Sequence, residues 1–393
     1  MKKILFLFSL ILAFQISSAQ DTYWVFFKDK GNLSLLESPG AFLGTEALQK
    51  RAEKHIPIEI SDLPVEKKYI NGLKAAGFDV ISSSRWMNAA VVRMACDRRE
   101  EVLSLGFVEG VKPTAKMRQT SYDAQEQGTA IMPYSPLLYG QAEEQNSMLN
   151  IASLHDRGFT GRGVKMAVLD AGFRGADTIS AFDSMRSENR ILATWDFVDN
   201  DESVYHSDAH GTQVLSVIAA NLPGVLVGTA PHVSVILLRT ENSRSETRQE
   251  EYNWVKAVEM ADSMGVDIIH SSLGYSEFDD DEGSYKYEDL NGNTAITTRA
   301  ADMAAAKGML ITVSAGNEGD NDGITLLHPA MLTAFYVWDR SIVIRIFPDF
   351  LLLAPSADGR VKPDVVAMGS RTMAANPNNR IYGVNGTRLF QVP

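Results

Sequence analysis

GVKMAVLDAGF at residues 163–173 and HGTQVLSVIAAN at residues 210–221 decide how this chain folds. The first is a short apolar run bounded by glycines, which predicts a buried strand with the carboxylate of Asp170 at its carboxyl end. The second places Val214, Val217 and Ile218 at helical spacing behind His210, so a histidine opens an amphipathic helix. Outward from this pair the texture repeats. VSVILLRT (233–240), VDIIHSSLG (266–274) and MLITVSAGNEG (309–319) read as strands, with helices predicted from Glu250 to Met264 and around Ala300 to Lys307. Alternation of this kind means an α/β fold, a mostly parallel sheet with helices on both faces. Chemistry in such sheets sits at the carboxyl ends of the strands, which here present Asp170, Ser271, Ser272 and Asn317.

Before this α/β region lies a segment of different pattern. TYWVFFKD (22–29), FDVISSS (78–84), MNAAVVRMA (87–95) and FVEGVKPT (107–114) read as strands, and VEKKYINGLKAAG (65–77) and CDRREEVLSLG (96–106) as helices. The expected order is βαββαβ, a small α+β domain. Residues 116–147 hold no sustained period and read as a linker. At the start, residues 1–19 carry Lys2 and Lys3, then an apolar run, then small residues ending at Ala19. That is the pattern of a signal peptide, so the expectation is a secreted, periplasmic or cell-surface protein with no membrane span in the mature chain.

Composition narrows the function. Across 393 residues there are 37 basic and 49 acidic side chains, a net charge of -12, which disfavours nucleic acid as a partner. The single cysteine, Cys96, forbids an intrachain disulfide. Gly161 and Gly163 precede their strand rather than follow it, so no helix start meets a phosphate there and a dinucleotide site is rejected. His206, Asp208 and His210 suggest a metal, but a second cluster of ligands to close the shell is missing. Nucleophilic acyl transfer needs a carboxylate, a histidine base, a hydroxyl and oxyanion donors, and Asp170, His210 and Asn317 fill three of those places.

With these residues in hand, VLDAGF around Asp170, HGTQVLSVIAA after His210, SSLG at Ser271, Ser272, Leu273 and Gly274, SAGNEGD around Asn317 and PSADGRVKPDVVAMG at residues 355–369 resemble the successive signatures of subtilisin-like serine peptidases, the subtilases. The order of aspartate, histidine and serine is itself a described property of subtilisin. The resemblance implies an endopeptidase whose Asp170 orients the imidazole, whose His210 is general base and then acid, and whose Asn317 amide donates to the oxyanion. It implies that Ser271, Ser272, Leu273 and Gly274 pair with an extended polypeptide substrate. It also implies that residues 20–115 are an inhibitor-like prodomain acting on its own peptidase domain, residues 148–393. Calcium, frequent in subtilases, has weak support: residues 279–282 and the run Asp289, Asn291 and Asn293 depart from an EF-hand spacing and fit a solvated acidic loop, so no cofactor is expected.

Two stretches depart from the family. Where its nucleophile stands in a Gly-Thr-Ser motif, the chain reads Asn385, Gly386, Thr387, Arg388, and a guanidinium has no lone pair with which to attack a carbonyl. Residues 325–354 carry a dense apolar and aromatic load where a family motif is expected. Read from the third base of each codon, this stretch permits DADSVLCVGSVDSD, residues 349–354 permit FSSFG, and the residues after Thr387 permit SFSSP. The expectation is a frameshifted copy, cut short at its nucleophile motif and inactive as written. The alternative is a catalytically dead binding or inhibitory protein that keeps the cleft.

Overall fold

The computed structural model describes residues 20–115, 138–275, 278, 284–314, 354–355, 357–362, 367–368 and 370–385. The signal segment, Asn317, Arg388 and residues 325–353 lie outside the described residues.

The amino-terminal domain comprises β1 (Gln20–Phe27), α1 (Thr45–Glu53), α2 (Lys67–Ala75), β2 (Asp79–Ser84), β3 (Ala89–Ala95), α3 (Arg99–Leu103) and β4 (Val108–Ala115). Its strands form an antiparallel sheet in the order β2-β3-β1-β4. This matches the expected βαββαβ plan with one addition. Helix α1 lies in the long connection between β1 and α2, where the sequence reading placed no element. Its only buried side chains are Ala47 and Arg51, so it has no apolar stripe to betray it.

The second domain continues through α4 (Glu143–Met148), α5 (Ile151–Asp156), β5 (Lys165–Asp170), α6 (Asp183–Ser187), β6 (Ile191–Asp196), α7 (His210–Ala219), the hairpin β7 (Asn221–Leu222) and β8 (Leu226–Val227), β9 (Ser234–Arg239) and α8 (Arg248–Ser263). There follow β10 (Ile268–Ser271), α9 (Ile296–Ala306), β11 (Leu310–Val313), the short pair β12 (Ala354–Pro355) and β13 (Val361–Lys362), and the hairpin β14 (Ser370–Ala375) and β15 (Ile381–Asn385). Five strands make one parallel sheet in the order β11-β10-β5-β9-β6. The edge strand β6 was missed from sequence because its residues are mostly half-buried. Residues 138–147, read as the end of a linker, are built into the domain: Gly140 bridges to Leu226, and the buried Asn146 amide donates to the Val227 carbonyl at 2.9 Å.

Strand alternation explains the layers. Ala167, Leu169, Ile236, Leu238 and Ile269 face α8 and α9, while Met166, Val168, Val235 and Leu237 face α7. Because both faces are covered, the strands read as continuous apolar runs. The amino-terminal sheet then packs on the outer side of α8. Trp24, Trp86, Met87 and Val91 join the same apolar cluster as Tyr252, Val255 and Val258, and the Trp24 and Tyr252 rings meet edge to face at 4.9 Å. Strand β1 is therefore apolar on both sides, since Tyr23, Val25 and Phe27 fill the domain's own core. Among the described residues no helix is long and apolar enough to cross a membrane.

Candidate active site

Asp170 ends β5 and His210 opens α7, and the fold brings the two side chains together. His210 Nδ1 lies 2.8 Å from Asp170 Oδ1. Since the carboxylate accepts, Nδ1 carries the proton and Nε2 is left as the basic nitrogen. The same Oδ1 also accepts the Ala171 N–H at 2.8 Å. Asp170 is fully buried while His210 keeps 18% of its side-chain exposure, so one edge of the ring reaches the surface. Burial pushes the Asp170 carboxyl upward, and the charge and hydrogen bond of His210 pull it back.

Two glycines permit this approach. A Cβ on Gly211 would stand 2.6 Å from the Gly172 carbonyl oxygen and 2.9 Å from the Asp170 Cβ. Gly172 adopts φ +150°, and a Cβ there would stand 2.7 Å from the Asp208 nitrogen. With both side chains absent, the Gly211 N–H donates to the Gly172 carbonyl at 3.0 Å and the start of α7 abuts the end of β5. Asp208 completes the entry by accepting the His210 N–H at 2.8 Å. Its role is to hold the helix start, which accounts for its place between His206 and His210.

The predicted substrate residues divide. Ser271 ends β10 with its side chain fully buried, and its hydroxyl accepts the Trp254 indole N–H at 3.0 Å from α8. Ser272, Leu273 and Gly274 run on past the strand, half-buried. The Ser271 side chain therefore fixes the end of the strand to α8 from behind. Asn317 and Arg388 lie outside the described residues. Helix α7 is tied to the hairpin that leads into residues 386–388: the Gln213 amide donates to the Tyr382 hydroxyl, and the Ala375 N–H donates to the Ser216 hydroxyl at 2.9 Å.

Sequence reasoning missed Arg239, the charged end of an otherwise apolar buried strand. Its Nε donates to the Ala171 carbonyl at 3.1 Å, and its Nη1 reaches Asp196 and Asp199 at 2.6 Å each. These two carboxylates and His206 are close enough to share a cation. Arg239 already supplies the positive charge there, so the trio does not fit a metal. A second trio, Glu241, Glu246 and Glu250, lies beside α8. Glu241 accepts the Tyr275 hydroxyl and Glu250 accepts the Thr247 and Asn242 N–H groups. In the loop considered for calcium, the Asp289 and Asn291 side chains accept backbone N–H groups of their own turns.

Comparison with known proteins bears on the same residues. The profile described as "Peptidase S8 propeptide domain, Bacteroidota" matches residues 22–129, and that of the subtilase family matches residues 161–389. Subtilisin E from Bacillus subtilis (strain 168) is 28% identical over 248 residues, covering 62% of this chain and 56% of that protein. Subtilisin NAT from Bacillus subtilis subsp. natto is 31% identical over the same length, with the same two shares. The chain thus spans about half the length of the curated relatives it matches. Among solved structures, a mutant of the epidermin leader peptide processing serine protease from Staphylococcus aureus aligns with a TM-score of 0.47 at 16% identity, over 77% of this chain and 62% of that one. The propeptide match, and a subtilase match that takes in Asp170, His210 and more than half of the sequence, make this chain a member of the subtilase family of serine peptidases.

Proposed function

We propose that the chain encodes the precursor of an exported subtilisin-like endopeptidase that hydrolyses peptide bonds through an aspartate, histidine and serine relay. The observation that carries this reading is the 2.8 Å pairing of His210 Nδ1 with the buried Asp170. In the proposed cycle His210 Nε2 takes the proton of a serine hydroxyl as its oxygen attacks the scissile carbonyl, then returns it to the leaving amine. Asp170 holds the tautomer and stabilises the imidazolium. Asn317 donates to the oxyanion, a contact worth about 3 kcal/mol in the transition state. Ser272, Leu273 and Gly274 add a strand to the extended substrate. Residues 20–115 block the cleft until they are removed, and residues 1–19 direct export.

Arg388 stands at the serine position, and the chain as written is accordingly inactive. This one residue favours a second reading, a dead subtilase that binds polypeptide without cutting it. The two separate on a chain restored from the third-base frame both over residues 325–354 and after Thr387. Secreted from a host, the restored chain is expected to clear casein, and His210→Ala is expected to abolish clearing. Absence of hydrolysis by the restored chain rejects the peptidase reading. Resequencing the DNA over codons 324–354 and 387–393 separates a reading error from a decayed gene.

A further inference from the structure

Helix α1 touches the peptidase domain at the end of the sheet opposite the catalytic pair. Asp170 and Ser271 close the carboxyl ends of β5 and β10, whereas the partners of α1 sit at the starts of those strands. Lys50 Nζ reaches Asp267 at 2.7 Å and the Gly265 carbonyl at 2.8 Å, just before β10. Glu46 pairs with Lys165, the first residue of β5. Lys54 donates to the Gly308 carbonyl at 2.5 Å, ahead of β11. The Gly44 N–H donates to the Ser263 carbonyl at 2.9 Å, at the end of α8.

The fit is close as well as charged. Gly265 adopts φ +69°, and a Cβ on it would stand 2.8 Å from the Ala47 nitrogen. At about 3.3 Å per residue, the rise of β5 sets Lys165 on the order of 16 Å from Asp170. A contact that far from the cleft does not obstruct substrate.

We propose that α1 and the residue before it form a docking arm that fastens the propeptide domain to the amino-terminal edge of the peptidase sheet, separately from any contact in the catalytic crevice. The arm rests on reading residues 20–115 as a propeptide held by its own peptidase domain. In it, holding and blocking are assigned to different surfaces. The charges alternate along one helix face, with Glu46 set against Lys165 and Lys50 against Asp267, so a swapped pair preserves the attraction.

The test uses the full chain with a site-specific protease sequence placed between residues 116 and 137. After cleavage, size-exclusion chromatography over a dilution series reads whether the two parts travel together. The unaltered parts are expected to co-elute. Glu46→Lys alone and Lys165→Glu alone are each expected to raise the concentration at which the parts separate by about three- to tenfold, and the double exchange to bring it back to within about twofold. If the unaltered parts separate at once, if either single change leaves co-elution untouched, or if the exchange fails to restore it, the arm is overturned. Co-elution needs no catalysis, so failure of the peptidase reading in hydrolysis assays leaves this outcome independent.

Discussion

His210 Nδ1 and Asp170 Oδ1 stand 2.8 Å apart with the carboxylate wholly inside the protein. That contact joins the first residue of a helix to the last residue of a parallel strand. Asp170→Asn keeps the shape and offers an amide in place of the acceptor, so the imidazole takes the other tautomer. In the frame-restored peptidase this change is expected to lower kcat by about 10⁴-fold with little change in KM, read by steady-state hydrolysis of a peptide substrate.

Gly211 is a position where an added side chain pushes the pair apart. Gly211→Ala would set a methyl against the Gly172 carbonyl and the Asp170 side chain. The expected outcome is a loss of about 1–3 kcal/mol in urea unfolding. Stability within about 0.5 kcal/mol of the unaltered chain contradicts the close approach described.

The carboxylates beside α8 predict a pH dependence. Burial first, and nearby carboxylates after it, push Glu241 up to about 7 and Glu250 higher, both above the ordinary glutamate value of 4.5. A carboxyl raised in the folded state favours folding fully only below its unfolded pKa. Its contribution is lost as pH rises from about 4.5 through 7. The melting temperature is therefore expected to fall between pH 5 and pH 8, and Glu241→Gln to flatten that fall. Calorimetry at these pH values reads it, and an equal slope in the variant contradicts the assignment.

Arg51 crosses between the domains. It makes paired contacts with Asp62 at 3.0 Å and reaches Asp262 at 2.8 Å, with all three side chains at most 4% exposed. For Asp62, burial alone pushes the carboxyl up, and hydrogen bonds from Arg51, the Glu59 N–H and Lys307 more than offset it. Arg51→Ala leaves two buried carboxylates short of a partner and is expected to cost about 3 kcal/mol in chemical denaturation of the full chain. Because Asp62 is held below its ordinary value, its contribution is present at neutral pH and lost on acidification through the folded pKa. The deficit of Arg51→Ala is therefore expected to shrink as Asp62 becomes protonated.

The elements that carry Asp170 and His210 were legible because both faces of the parallel sheet are apolar. Strand β5 and helix α7 announce themselves through Ala167, Val168 and Leu169 and through Val214 and Ile218, and the polar residues at their ends are then conspicuous. What escaped was whatever depends on contact between distant parts. Helix α1 docks through Lys50, Arg51 and Lys54, whose spacing carries no apolar period. The Ser271 hydroxyl reads as a surface group until Trp254 is seen to bury it. Arg239 reads as the end of a strand until its two aspartates are placed around it. Periodicity reports which face is dry, and does not report which charge meets which.

We infer that Asp170 and His210 form the working part of a serine peptidase relay whose serine position holds Arg388. A fluorophosphonate probe, which labels an activated serine, tests it most directly. The chain with Arg388 is expected to stay unlabelled, the frame-restored chain to be labelled, and His210→Ala to lose that labelling. Labelling of the Arg388 chain that depends on His210, or a restored chain that folds and stays unlabelled, would contradict it.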